Sequence, residues 1–102
     1  MNDKEIEQEI QSRGLTAPRI TVDEVNDAIA SDAYYVFPGT TTTVCLLTLT
    51  NGFTVLGDSA CASPENFNED LGREIARDKA KDKVWELLGF GLREKLFMGA
   101  GK

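Results

Sequence analysis

The chain is written in three regimes of apolar and polar positions: helical spacing first, strand spacing in the middle, helical spacing again at the end. In the first, Ile6 and Ile10 stand four residues apart in an otherwise polar stretch from Asp3 to Arg13. That spacing predicts a short helix, weakly held because it has only two apolar anchors. Gly14 follows as a helix-ending residue, and the acidic start suits the helix dipole. Leu15-Thr16-Ala17-Pro18-Arg19 reads as a connector, since proline breaks local helix. Thr21-Val22-Asp23-Glu24 then fits a capping box, with Ile20 and Val25 at the hydrophobic-staple positions. Val22, Val25, Ala28 and Ile29 give this second helix an apolar face, and its end is expected near Ser31-Asp32.

Three strands are expected next. Ala33 to Phe37 is aromatic and β-branched, and Pro38-Gly39 stops it. Thr42 to Thr50 and Phe53 to Ser59 flank Asn51-Gly52, the strongest short-range hairpin signal. A two-residue turn there sets Thr50 opposite Phe53, Thr48 opposite Val55 and Leu46 opposite Gly57. Leu49, Leu47, Cys45 and Leu56 then share the other face. Both faces are partly apolar, so either helices cover both or one is a subunit interface.

The last third returns to helical spacing. Ser63-Pro64 fits an N-cap followed by a first-turn proline, and Asn68-Glu69-Asp70 offers a second start. The main helix is expected from about Glu69 to Leu88, with apolar contacts from Leu71, Ile75, Val84, Trp85, Leu87 and Leu88. Gly72, Ala76 and Ala80 recur every four residues, a stripe that admits another backbone closely, either the sheet or a partner helix. Gly89 and Gly91 around Phe90 mark an expected break. Leu92 to Met98 then reads as a further short helix, and Gly99 to Lys102 as a frayed tail. Trp85 and Phe97 read as core residues. The elements sum to one α+β domain over residues 1–102: N-terminal helices in 1–32, a small antiparallel sheet in 33–60 and C-terminal helices in 63–98.

Composition changes the picture in two ways. The chain has 102 residues and no histidine, which removes the commonest general base and metal ligand. Cys45 and Cys61 read as reduced core thiols. No metal site, cofactor or catalytic constellation is predicted, and a binding module is expected in place of an enzyme. The charge is also uneven. Residues 1–72 hold 12 acids and 3 bases, a net of -9, and residues 73–102 hold 5 acids and 8 bases, a net of +3. An acidic surface repels phosphates, so general nucleic-acid binding is not expected. Neither a membrane span nor a signal peptide is apparent, which predicts a cytoplasmic protein with no membrane partner.

The candidate binding residues cluster around the hairpin and the long helix. Asp58, Ser59, Ser63, Glu65 and Asn66 form a dense polar group whose ordinary role is turns and caps. As a site, the start of a helix offers free N–H groups, Ser63 and Asn66 offer hydrogen bonds, and Phe53 or Phe67 offers a stacking surface. Arg73 and Arg77 lie four apart on one helix face, and their guanidinium forks suit phosphate. Arg19 in the connector is a third such candidate. The basic residues Lys79, Lys81 and Lys83 read as a solvated face.

The segment Asn51-Gly52-Phe53-Thr54-Val55, Gly57, Ser59 to Phe67, Leu71-Gly72-Arg73, Ile75-Ala76-Arg77 and Trp85, with Thr16-Ala17-Pro18-Arg19 upstream, resembles a family of small tailed-phage proteins similar to gene product forty-nine of a coliphage. That resemblance implies a phage or prophage origin more than an activity. A second resemblance is to phage sponges of the Thoeris anti-defence type. It implies an oligomer in an infected bacterial host that sequesters a cyclic ADP-ribose isomer or cyclic oligonucleotide without cleaving it. Arg19, Phe53, Ser63, Asn66, Phe67, Arg73 and Arg77 would then contact the ligand. The alternatives are an acidic interaction protein that occupies a host protein's nucleic-acid site, and a nucleotide-modifying enzyme, against which the missing histidine weighs.

Overall fold

A computed structural model describes residues 3–14 and 17–100. Leu15-Thr16 of the connector and the last two residues of the tail lie outside the described residues. Helix α1 (Asp3–Ser12) is followed by α2 (Val22–Ala28), strands β1 (Ile29–Val36), β2 (Thr43–Leu49) and β3 (Thr54–Ser59), a 3-10 turn (Pro64–Asn66) and helix α3 (Glu69–Ala100). The fold is α+β: one antiparallel sheet in the order β1-β2-β3, short N-terminal helices, and a long C-terminal helix.

Local chemistry accounts for the helix starts. The Glu24 N–H donates to the Thr21 Oγ1 at 3.1 Å, as the capping box requires. Val25, at its staple position, is fully buried. At α3 the Leu71 N–H donates to the Asn68 Oδ1 at 3.0 Å, so Asn68 is the effective cap. Ser63 stands at the start of the 3-10 turn, but its side chain makes no capping bond.

Helix α2 ends at Ala28, short of the end its sequence suggests near Ser31-Asp32. Ile29 pairs with Leu49, and the Thr50 N–H donates to the Ala28 carbonyl at 2.9 Å. The open backbone of β2 thus draws Ile29–Asp32 into the sheet, through an irregularity between Ile29 and Ser31.

The hairpin also differs from expectation, by one residue. The Leu49 N–H donates to the Phe53 carbonyl at 2.8 Å and the Gly52 N–H to the Leu49 carbonyl at 2.9 Å. Gly52 sits at φ +89°, and the Phe53 N–H donates to the Asn51 Oδ1 at 3.0 Å. This is a three-residue loop with a left-handed glycine, the common alternative to the two-residue turn. Leu47 therefore faces Val55 and Cys45 faces Gly57. A one-residue slip exchanges the faces of a whole strand. Thr43, Cys45, Leu47 and Leu49 are consequently buried together with Val55, Gly57 and Ser59.

Helix α3 covers that face. Its small-residue stripe meets the sheet: Gly72, Ala76, Ala80 and Val84 are buried against it, with Trp85 and Leu88 partly buried beside them. Leu71, Ile75 and Leu87 flank the stripe and remain exposed. The helix continues through Gly89 and Gly91 without a break. Neither glycine has positive φ, and leucines on both sides keep helical propensity high. Gly99 and Ala100 belong to the helix and not to a tail. Phe97 is 73% exposed and is no part of the core.

The Thr43 Oγ1 is buried against α3 with no hydrogen-bond partner. A stranded buried hydroxyl costs free energy that an isosteric methyl does not. Thr43→Val is therefore expected to raise stability by about 1 kcal/mol, read as a higher urea midpoint with an unchanged slope.

Candidate functional site

Ser63, Asn66 and Phe67 are gathered at one end of the sheet, where β3 hands over to α3. The Cys61 Sγ and the Asn66 N–H both donate to the Ser63 carbonyl, each at 3.1 Å. Across the junction, the Thr41 Oγ1 donates to the Cys61 carbonyl at 2.6 Å and accepts from the Cys61 N–H at 3.2 Å. Thr41 thereby ties the β1–β2 turn to the β3–α3 connector. The Ser59 Oγ donates to the Gly72 carbonyl at 2.7 Å and anchors the first turns of α3 to the same place.

Two adjoining clefts open here. One, of about 170 Å³, is lined by Thr41, Ala60, Asn66, Phe67, Leu71 and Ile75 among others. The second, of about 410 Å³, runs over Gly39–Thr42, Ala62 and Pro64, and shares Thr41, Cys61 and Phe67 with the first. The first is smaller than a usual small-molecule site and the second falls within the range. Together they offer an aromatic ring, two exposed aliphatic side chains and the asparagine amide, a mostly apolar wall with few polar groups.

The other candidates lie elsewhere. Phe53, 55% exposed, is at the hairpin, the opposite end of β3 from Ser59. Arg73 and Arg77 flank the buried stripe on the side opposite Leu71 and Ile75, as a period of 3.6 requires. Arg73 is paired with Asp70, and its second nitrogen lies 3.7 Å from Glu69. The Arg77 Nε lies 3.5 Å from Asp32 on β1. Arg19 is paired with Glu7 of α1, and that hydrogen bond holds the Glu7 carboxyl below the usual carboxylate range. Binding an anion through any of the three arginines thus displaces the carboxylate that already holds it. Sequence reasoning missed Thr41 and Cys61 at the clefts. Thr41 reaches the cleft through a contact spanning twenty residues, which no local pattern announces.

Beside Arg77, the Tyr34 hydroxyl donates to Asp32 at 2.9 Å. Burial, and then that bond, push its ionisation up to about 12 from an ordinary 10.0. Burial likewise pushes the Cys45 thiol up. A raised phenol pKa favours the protonated form in the fold, so Tyr34's contribution is full below pH 10.0 and is lost as the pH climbs towards 12. The melting temperature should therefore fall more steeply across that alkaline window in the wild type than in Tyr34→Phe.

Both cysteines are free. Among the described residues, no three histidine, cysteine or acidic side chains are grouped to hold a metal ion, and no helix is long and apolar enough to cross a membrane. In comparison with known proteins, residues 20–96 match the model of the phage protein (N4 Gp49/phage Sf6 gene 66) family. No curated protein and no solved structure matches.

Proposed function

The chain belongs to the phage protein (N4 Gp49/phage Sf6 gene 66) family, and from that premise we propose that it acts by binding without turnover, capturing a nucleotide-derived signalling molecule of the host's anti-phage defence. The observation that supports this reading is the convergence of Asn66 and Phe67 with Thr41 on the paired clefts at the start of α3. A base stacks on the Phe67 ring. The Asn66 amide, which both donates and accepts, reads its edge. The neighbouring wall of Leu71 and Ile75 suits the apolar flank of a ring and no charged group. Arg73 is held by Asp70 and Glu69 on the face of α3 turned away from the cleft, so stacking and hydrogen bonding carry more of the affinity than phosphate does. Sufficient protein with slow release then depletes the signal.

Calorimetry against cyclic ADP-ribose isomers and cyclic oligonucleotides tests this. Phe67→Ala is expected to weaken binding about fivefold or more, in line with roughly 1–3 kcal/mol for a base stacked on an aromatic side chain. Asn66→Ala should weaken it by a similar factor. Unchanged affinity in both variants, folded, would overturn the site.

A second reading has its own supporting observation. Helices α1 and α2 touch and carry seven carboxylates, of which Asp3, Glu7 and Glu9 are paired with Lys81, Arg19 and Arg13, and Asp23, Glu24 and Asp27 lie together on α2. An acidic surface of this kind suits a basic, nucleic-acid-binding face of a host protein. Binding to such a protein that weakens steeply with salt, with no small-molecule binding, would favour this reading over the first.

A further inference from the structure

Two apolar surfaces of this chain have nothing across them among the described residues. One is the sheet face opposite α3. Ala33 and Tyr35 of β1, Val44 and Leu46 of β2, and Leu56 of β3 share it, with Tyr35 52% and Leu56 50% exposed. Phe37 extends it, packing edge to face on Tyr35 with ring centroids 5.0 Å apart. Asp58 is the one charge that β3 sends to this face.

The other is the distal part of α3. The last α3 residues packed on the core are Trp85 and Leu88. Gly72 lies beside Thr43 and Ser59, and Gly57 beside Ala76 and Ala80, so the helix runs towards the hairpin end of the sheet and then past it. Its 32 residues form a rod of about 48 Å, and the molecule is 56 Å long. Apolar side chains lie on every side of the overhang, with Phe90 (69% exposed), Leu96, Phe97 and Met98 exposed, and its charges form one short run, Arg93, Glu94 and Lys95, at its middle. A helix with apolar residues on every side is a helix that something covers.

We propose that each surface covers the other in a symmetric dimer of this chain, the α3 overhang of one copy lying along the open sheet face of its partner. The dimensions agree. Residues 89–100 span about 18 Å of helix, and a seven-residue strand such as β2 about 23 Å. A helix is about 10–12 Å wide and three strands span about 10 Å. The charges agree as well. The open face carries Asp58, and β1, β2 and β3 hold no basic residue, while the overhang brings Arg93 and Lys95 with a single acid, Glu94.

The symmetry closes too. Overhang and open face lie on opposite sides of the sheet plane. A two-fold axis in that plane, with hairpin end against hairpin end, sets each overhang on the other's face at once. The exposed Phe53 then sits at the join between the hairpins. Each half becomes a sheet with helices on both faces, which resolves the two-sided apolarity of β2.

Native mass spectrometry tests the arrangement. The wild type should carry the mass of two chains at micromolar concentration. Leu56→Glu on the sheet face and Phe97→Glu on the overhang each substitute an exposed side chain, so circular dichroism should keep its helical signal while the mass falls to one chain. Tyr35→Glu is the second sheet-face variant if the first loses the fold. Mixing Leu56→Glu with Phe97→Glu restores one intact overhang-on-sheet contact, and a heterodimer weaker than the wild type should form. A monomeric wild type overturns the proposal. So does a Phe97→Glu variant that remains dimeric, which indicates sheet packed on sheet, and so does a mixture with no heterodimer.

Discussion

Gly57→Ala should cost the fold about 3 kcal/mol or more, the upper end of what overpacking does. A Cβ on Gly57 would lie 2.9 Å from the Ala80 Cα, and closer still to the Ala76 carbonyl oxygen and the Ala80 nitrogen. These are backbone atoms in the middle of a helix, so no rotamer change relieves the contact. Either α3 lifts away from β3 or the strand bends, and both open the core that Ala76, Ala80 and Val84 fill. The same chemical change at Gly89 should have the opposite sign. A Cβ there meets nothing within 4 Å, and alanine is favoured over glycine in a helix by about 1 kcal/mol. Urea unfolding of the two variants should bracket the wild type, with Gly57→Ala below it and Gly89→Ala above. Equal midpoints for wild type and Gly57→Ala would mean that α3 does not rest on β3 as described.

Leu47→Ala has the second large effect, a loss of about 3 kcal/mol. Leu47 is the largest fully buried side chain and lies on the central strand, between Asp32 and Val55. Removing three carbons there loses transfer free energy and leaves a cavity that strands paired on both sides cannot readily close. A domain of this size has about 5–15 kcal/mol in total, so the variant should show a much lower urea midpoint. Leu46→Ala, one residue along and only partly buried on the open face, should cost the monomer much less. That contrast reads the register directly, because a one-residue slip of β2 would exchange the two results.

Much of this architecture was legible in the sequence, and the misses have physical causes. The Thr21 cap, the Asn68 start and the stripe Gly72-Ala76-Ala80 were local signals, and local hydrogen bonds and close packing realise them. The strand from Ile29 to Asp32 was not legible, because its conformation is set by β2 and not by its own residues. The hairpin register turned on whether Asn51-Gly52 closes a two- or a three-residue loop, and both are compatible with the pair. Gly89 and Gly91 looked like a break because glycine weakens a helix, but a weak position among strong helix formers need not end one.

The candidate site divides in the same way. Ser63, Asn66 and Phe67 are neighbours in sequence and remain neighbours in space. Arg73 and Arg77 share a helix face as their spacing requires, but it is the face turned away from the cleft. Phe53 and Arg19 are carried elsewhere by the sheet and by α1. Which carboxylates hold the arginines is a tertiary fact, as with Asp32 of β1 beside Arg77.

The most direct test of binding without turnover is native mass spectrometry of the wild-type protein with a panel of cyclic ADP-ribose isomers and cyclic oligonucleotides, followed by denaturation and analysis of the released molecule. The expected result is a stoichiometric adduct with one compound, recovered chemically intact and absent from Phe67→Ala. No adduct across the panel, or release of an altered compound, would contradict it.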